Sequence, residues 1–251
     1  MQTSTLEAET ATGLGVSLAG VGCAFGDKIV LDGLSFDVPE HGRLGIVGRS
    51  GSGKSTLLSL VAGLAEPQRG TIRVGGAASP AERLARCALM PQRDCLLPWR
   101  SALDNACLGL ENRGVSRTDA RRRAERLFAR LGLDGSGRLA PARLSGGMRQ
   151  RVAFARTLLA DKDVLLLDEP FGALDAITRT ELQDWLSGVL RGEPRTMLLV
   201  THDVEEALLL CDRVAVLAHG SIAATLDVDV PRQRTAPRFV ELRERALEAL
   251  A

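Results

Sequence analysis

With 251 residues, 45% of them apolar and 25% charged, the chain can bury one substantial core or two small ones sharing an interface, and disorder is excluded for its bulk. A formal net charge of +1 gives no reason to expect a polyanionic partner such as a nucleic acid. No run of 18 apolar residues is present to span a bilayer, and the five cysteines never form a C-x-x-C pair, so they read as buried small hydrophobes in a reducing compartment.

Residues 1–13, polar and Thr-rich at their start, read as a flexible tail; they lack the basic and apolar regions of a secretory signal. From Val16 to Val47, short alternating runs such as Leu34-Ser35-Phe36-Asp37-Val38, broken by Gly, Asp and Pro turns, predict strands in an antiparallel arrangement. Leu44–Val47 runs straight into a glycine-rich loop, and Thr56–Leu64 has helical spacing. Between about residues 94 and 160 the character is helical. Within it, Arg117–Leu131 carries Ala120, Ala124, Leu127 and Leu131 on one stripe. Its arginines are interleaved with Asp119 and Glu125 and have no aromatic companions, so they read as a solvated face. Asp163–Leu167 and Met197–Val200 are solid apolar strands of a sheet covered on both faces. The expected fold is thus α/β, with a front antiparallel β subdomain and an inserted helical subdomain.

Gly48-Arg49-Ser50-Gly51-Ser52-Gly53-Lys54-Ser55 matches G-x-x-x-x-G-K-[ST] between a strand and the helix that Thr56 continues. Glycines there let successive N–H groups curl around an anion at a helix N-terminus. Lys54 supplies a compact positive charge for β- and γ-phosphates, and the Ser55 hydroxyl can ligate Mg²⁺. Asp168 and Glu169 end an apolar strand, where α/β sheets bind ligands: Asp168 suits Mg²⁺, and Glu169 suits a general base for water. In Leu144-Ser145-Gly146-Gly147-Met148-Arg149-Gln150, Ser145 caps a helix running to about Ala160. One chain therefore has two glycine-fronted helix N-termini suited to phosphate, where a single nucleotide needs one.

In these ordered motifs the sequence resembles the ATP-binding cassette (ABC) family over roughly residues 15–230, with 231–251 as an extension ending in a short amphipathic helix. Gln92 in Met90-Pro91-Gln92 matches the family's Q-loop, Gly172-Ala173-Leu174-Asp175 its D-loop, and His202 its switch histidine. Phe25 falls where the family stacks an aromatic on adenine; by itself it reads as core, and a lone His202 reads as structural. The resemblance implies an α/β P-loop (RecA-like) cassette acting as a homodimer. ATP would lie between Lys54, Ser55 and Asp168 of one subunit and Ser145, Gly146 and Gly147 of the other, near Asp175. His202 would hold the γ-phosphate and attacking water. Gln92 would sense Mg²⁺ and couple to separate transmembrane permease subunits, with a solute-binding protein as indirect partner, at the cytoplasmic face of the inner membrane.

Finer features, Leu96-Leu97-Pro98-Trp99-Arg100-Ser101-Ala102-Leu103-Asp104-Asn105, the Gly-Arg-Ser loop start, LSGGMRQR and Val230-Pro231-Arg232, are similar to nitrate/sulfonate/taurine importer ATPases; Gln233 departs from their second Pro. That similarity implies a bacterial importer for such solutes, with other ABC systems or a soluble remodelling ATPase as alternatives. Trp99 reads either as a permease anchor or as packed inside the helical subdomain, and the C-terminal segment, with Leu242, Leu247 and Leu250, packs either on the core or on a neighbour.

Overall fold

The computed structural model describes residues 13–192, 195–229 and 234–250. All of the expected tail except Gly13, and the segment Val230-Pro231-Arg232-Gln233, lie outside them. The chain opens with two long strands, β1 (Leu14–Phe25) and β2 (Lys28–Pro39), followed by β3 (Arg43–Val47), helix α1 (Lys54–Val61) and β4 (Arg69–Val74). Strands β2, β1 and β4 form a three-stranded antiparallel sheet in that order.

β3 does not join that sheet, which corrects the antiparallel expectation for Leu44–Val47. Leu44, Gly45, Ile46 and Val47 are all buried, and such a two-face-buried run belongs in the middle of a parallel sheet. Helix α2 (Pro80–Arg86) and β5 (Cys87–Met90) follow, and later β6 (Val164–Asp168), α7 (Ala176–Gly192), β7 (Thr196–Thr201), α8 (Val204–Leu210), β8 (Arg213–Ala218) and β9 (Ser221–Asp227). The resulting sheet has the order β5-β6-β7-β3-β8-β9, parallel except for the terminal β9. Helix α8 approaches β3 so closely that a Cβ on Gly45 would stand 2.8 Å from the Ala207 side chain.

Between β5 and β6 the chain is helical: α3 (Ala102–Ala106), α4 (Leu108–Asn112), α5 (Arg117–Arg130), a 3-10 turn at Pro141–Arg143, and α6 (Gly146–Leu159). Ser101, Ser116 and Ser145 each cap the helix that follows by accepting a backbone N–H bond. On α5, Ala120, Ala124 and Phe128 are buried and Leu127 only partly so. Cys23, Cys87, Cys107 and Cys211 are buried, as expected, but Cys95 is exposed in the loop after β5. Burial pushes the Cys87 thiol up to about 12 and that of Cys107 to about 11, which suits their packing role.

The last helix, α9 (Pro237–Leu250), packs on the core against α8, β8 and β9. Its inner face is Phe239, Leu242 and Ala246, whereas Leu247 is half exposed, so the buried stripe is rotated from the expected one. Phe239 is fully buried, and Phe239→Ala is expected to destabilise the protein by about 3–5 kcal/mol, lowering Tm by roughly 10 °C. An unchanged melting transition would mean that α9 unfolds independently of the core.

Candidate functional site

Parallel pairing alone brings four motifs into one row. Met90 lies beside Leu167, Asp168 beside Val200, and Thr201 beside Val47. The residues just past these strand ends therefore line one edge of the sheet in the order Gln92, Glu169, His202 and the Gly48–Gly53 loop. This is the carboxyl edge at which open α/β sheets bind ligands.

The loop is held by sterics as well as by hydrogen bonds. Gly53 has φ +100°, and a Cβ there would stand 2.8 Å from Leu31 and 2.9 Å from Val30, so only glycine fits where the loop turns into α1. No side chain caps α1, which leaves its first amides facing the loop. Lys54, buried in this turn, reaches back across it and donates to the carbonyls of Gly48 (2.8 Å) and Arg49 (3.1 Å). Burial lowers its pKa, against the opposing pull of the Glu169 and Asp168 carboxylates. The Ser52 hydroxyl oxygen is buried without a hydrogen-bond partner, a polar atom left for a ligand that the loop amides would surround.

Asp168 is buried at the end of β6, and burial is the main cause of its raised pKa; the neighbouring Glu169 adds to this, while the Ser55 hydroxyl bond and Lys54 oppose it. Ser55 and Asp168 thus present two oxygen donors side by side, the chemistry a hard divalent cation requires. Among the described residues no group of three His, Cys, Asp or Glu gathers to hold a metal by protein ligands alone. A Mg²⁺ ion needs only one or two protein oxygens, its remaining positions being filled by phosphate and water, and the Ser55–Asp168 pair has that chemistry.

Glu169 is the hub. It sits in the left-handed region (φ 48°) and its N–H donates to Val200 O at 2.9 Å, which clamps the end of β6 to β7. Its carboxylate accepts from Gln92 Nε2 at 3.1 Å and lies 3.4 Å from His202 Nδ1. An open cleft of about 350 Å³ is lined by Phe25, Ser50, Gly51, Gly53, Lys54, Ser55, Thr56, Gln92 and Glu169. Phe25 ends the first strand at a tight hairpin and is 64% exposed, so the core reading for it is wrong.

Ser145, Gly146, Gly147 and Asp175 do not line this cleft. Ser145 and Gly146 are exposed at the start of α6, Gly147 faces Leu174 beside Asp175, and Asp175 caps α7 through Thr178. A single chain therefore leaves its second glycine-fronted helix terminus outside the cleft lined by Lys54.

Three groups escaped the sequence reading. Gln150 is buried on the apolar face of α6 and donates to the carbonyls of Glu169 (3.4 Å) and Pro170 (3.2 Å), bracing the strained hub; a polar residue in register with Ala153 and Phe154 was the available signal. Arg149 and Arg156 tie the loop after Gln92 to the same helix, through the Asp94 carboxylate (2.9 Å) and the Asp94 (2.7 Å) and Cys95 (2.8 Å) carbonyls. Glu206, buried on α8, is pushed up to about 8 by burial, with Asp203 adding to the shift. No local pattern marks it.

The family description "ABC transporter" matches residues 31–172, more than half of the chain. The chain belongs to the ABC transporter family. It is an ATP-hydrolysing cassette of that family, and ATP is its nucleotide. It is 45% identical over 239 residues, 94% of both chains, to an aliphatic sulfonates import ATP-binding protein of Rhodococcus jostii. It is 44% identical over 202 residues, 80% of this chain and 78% of the other, to a formylaminopyrimidine import ATP-binding protein of Halalkalibacterium halodurans. Among solved structures, a dimeric ABC cassette in a post-hydrolysis state with ADP and phosphate superposes with a TM-score of 0.79. That structure is 27% identical, and the match covers 86% of this chain and all of that one.

Proposed function

We propose that this ABC cassette, at the cytoplasmic face of the membrane, powers the uptake of a small organic solute of the aliphatic sulfonate class, as a homodimer docked on separate permease subunits that a solute-binding protein supplies from the opposite face. The observation that carries the catalytic part is the row of Gln92, Glu169, His202 and the phosphate loop along one sheet edge. The substrate class rests on the similarity to sulfonate import cassettes, several of them at 43–46% identity. No helix among the described residues is long and apolar enough to cross a membrane, and in this reading separate permease subunits span it.

In this reading the loop amides, Lys54 and Thr56 hold the triphosphate and Phe25 stacks on the adenine. Ser55, Asp168 and Gln92 would hold Mg²⁺, which neutralises phosphate charge when bound. The Glu169 carboxylate accepts a proton from the water that attacks the γ-phosphorus, and His202 orients that water and the phosphate. Ser145, Gly146 and Gly147 serve the partner's nucleotide, with Asp175 beside them. Uptake of a labelled alkanesulfonate by vesicles containing permease and cassette, with formylaminopyrimidine as competitor, tests the reading. No ATP-driven uptake of the alkanesulfonate, with ATP-driven uptake of labelled formylaminopyrimidine by the same vesicles, would replace the sulfonate class with the other relative's solute.

Trp99 is 77% exposed, which removes the packed-inside alternative, and it follows Pro98 at the entrance to α3, flanking a groove with Arg100, Glu111 and Arg117. A large exposed ring in an aromatic-poor chain suits a permease contact. Trp99→Ala is expected to weaken permease binding by roughly thirtyfold or more and to reduce uptake accordingly, while the isolated chain still hydrolyses ATP. Full uptake by this variant would remove Trp99 from the contact.

A further inference from the structure

The arginines of α5 have no role in the ATP site, yet three of them border a second cavity. Arg123, Arg126 and Arg130 follow one another at three- and four-residue spacing, so they share a helix face with Leu127. That face overlooks a cleft of about 310 Å³ between α5, the end of α6 and the second half of α7. The cleft's apolar lining comes from Leu110, Leu127, Leu158, Leu159, Trp185 and Val189. Trp185 is only partly buried and is fixed from behind by an edge contact to Phe154, with ring centres 6.2 Å apart.

The charge around this cleft is lopsided. Its single carboxylate, Asp161, is taken by Arg113 at 2.7 Å and by Arg195 at 3.1 Å, and Arg195 also donates to Leu158 O. Arg123, Arg126 and Arg130 make no hydrogen bond or ion pair with any described residue, although Arg123 is close enough to help lower the Asp161 pKa. Three neighbouring guanidiniums of like charge over an apolar, aromatic-walled floor match one kind of ligand: an acidic head on an apolar body. The cavity has the size of the smaller sites that bind such molecules. Inorganic anions would leave the floor wet, and neutral hydrocarbons would leave the arginines unpaired.

We propose that the α5–α6–α7 cleft is a binding site for a small organic anion with one acidic head group and an apolar tail. It is separate from the nucleotide cleft, and it stands on its own lining whatever solute the transporter carries. Arg126 and Arg130 pair with the head group, and the tail lies against Trp185, Leu127 and Leu158. The site touches the far ends of α6 and α7, the two helices whose beginnings carry Ser145 and Asp175.

The chain has two tryptophans, so Trp99→Phe leaves Trp185 as the sole fluorescent reporter. In that background 1-octanesulfonate is expected to change Trp185 emission saturably, and Arg126→Gln/Arg130→Gln to weaken the apparent affinity at least tenfold. Glutamine keeps the helix propensity of α5, and an unchanged Tm verifies folding. Sodium sulfate and 1-octanol, tested without any substitution, are expected to give no saturable change at the concentration that saturates with octanesulfonate. Absence of a saturable change with octanesulfonate overturns the proposal. So does equal binding by the double variant, by sulfate or by octanol.

Discussion

Glu169→Gln is expected to lower ATP turnover by about 10²–10⁴-fold while leaving nucleotide binding intact or tighter. The amide is isosteric, so it can keep the contact with Gln92 now made at 3.1 Å and the left-handed backbone at this position. What it cannot do is accept a proton from water. It also removes one negative charge beside Lys54 and Asp168, where burial already disfavours charge and a triphosphate must enter. The loss should therefore fall on kcat, with KM unchanged or lower, and the variant should persist as an ATP-bound dimer in gel filtration. Normal phosphate release by Glu169→Gln would remove this residue as the base. A rise in KM with kcat unchanged would assign it to binding instead.

Much of this site was legible because each motif closes an apolar strand, and the strands β6 and β7 are buried on both faces. The expected end of β7 at Val200 is one residue short because Thr201 is polar yet still pairs in the ladder, with Val47. The lateral order of the sheet was not legible. Strand β3 lies between β7 and β8, more than 140 residues away in sequence, and no local pattern encodes such a neighbour. The same gap explains the antiparallel expectation for Leu44–Val47: position after two alternating strands suggested a third, whereas its unbroken apolar run was the better sign. Small residues misled at α9, where Ala246 faces inward and the larger Leu247 outward, because periodicity weighted by size favours the leucine. Exposure at Phe25, Cys95 and Trp99 depends on what the rest of the chain brings near them, and for all three the structure alone decides.

The second glycine-fronted helix gives the other large effect. Ser145, Gly146 and Gly147 are absent from the lining of the cleft that holds Lys54, so in our reading each ATP needs the Gly48–Ser55 loop of one chain and the Ser145-Gly146-Gly147 helix start of another. Lys54→Ala and Ser145→Arg are each expected to abolish turnover: the first removes the phosphate's cation, and the second fills the exposed helix start with a bulky side chain. Mixed in equal amounts, the two variants should recover about a quarter of wild-type activity, since half of random dimers are mixed and each mixed dimer has one complete site. For the unmodified chain, rate per subunit should fall about in proportion to concentration once dilution passes the dimer's dissociation constant. Both readouts follow from one geometry, and they fail separately. Constant specific activity down to monomeric dilution would make the single chain a complete enzyme. Dilution-sensitive activity without complementation would keep the dimer and deny that its two halves share a nucleotide.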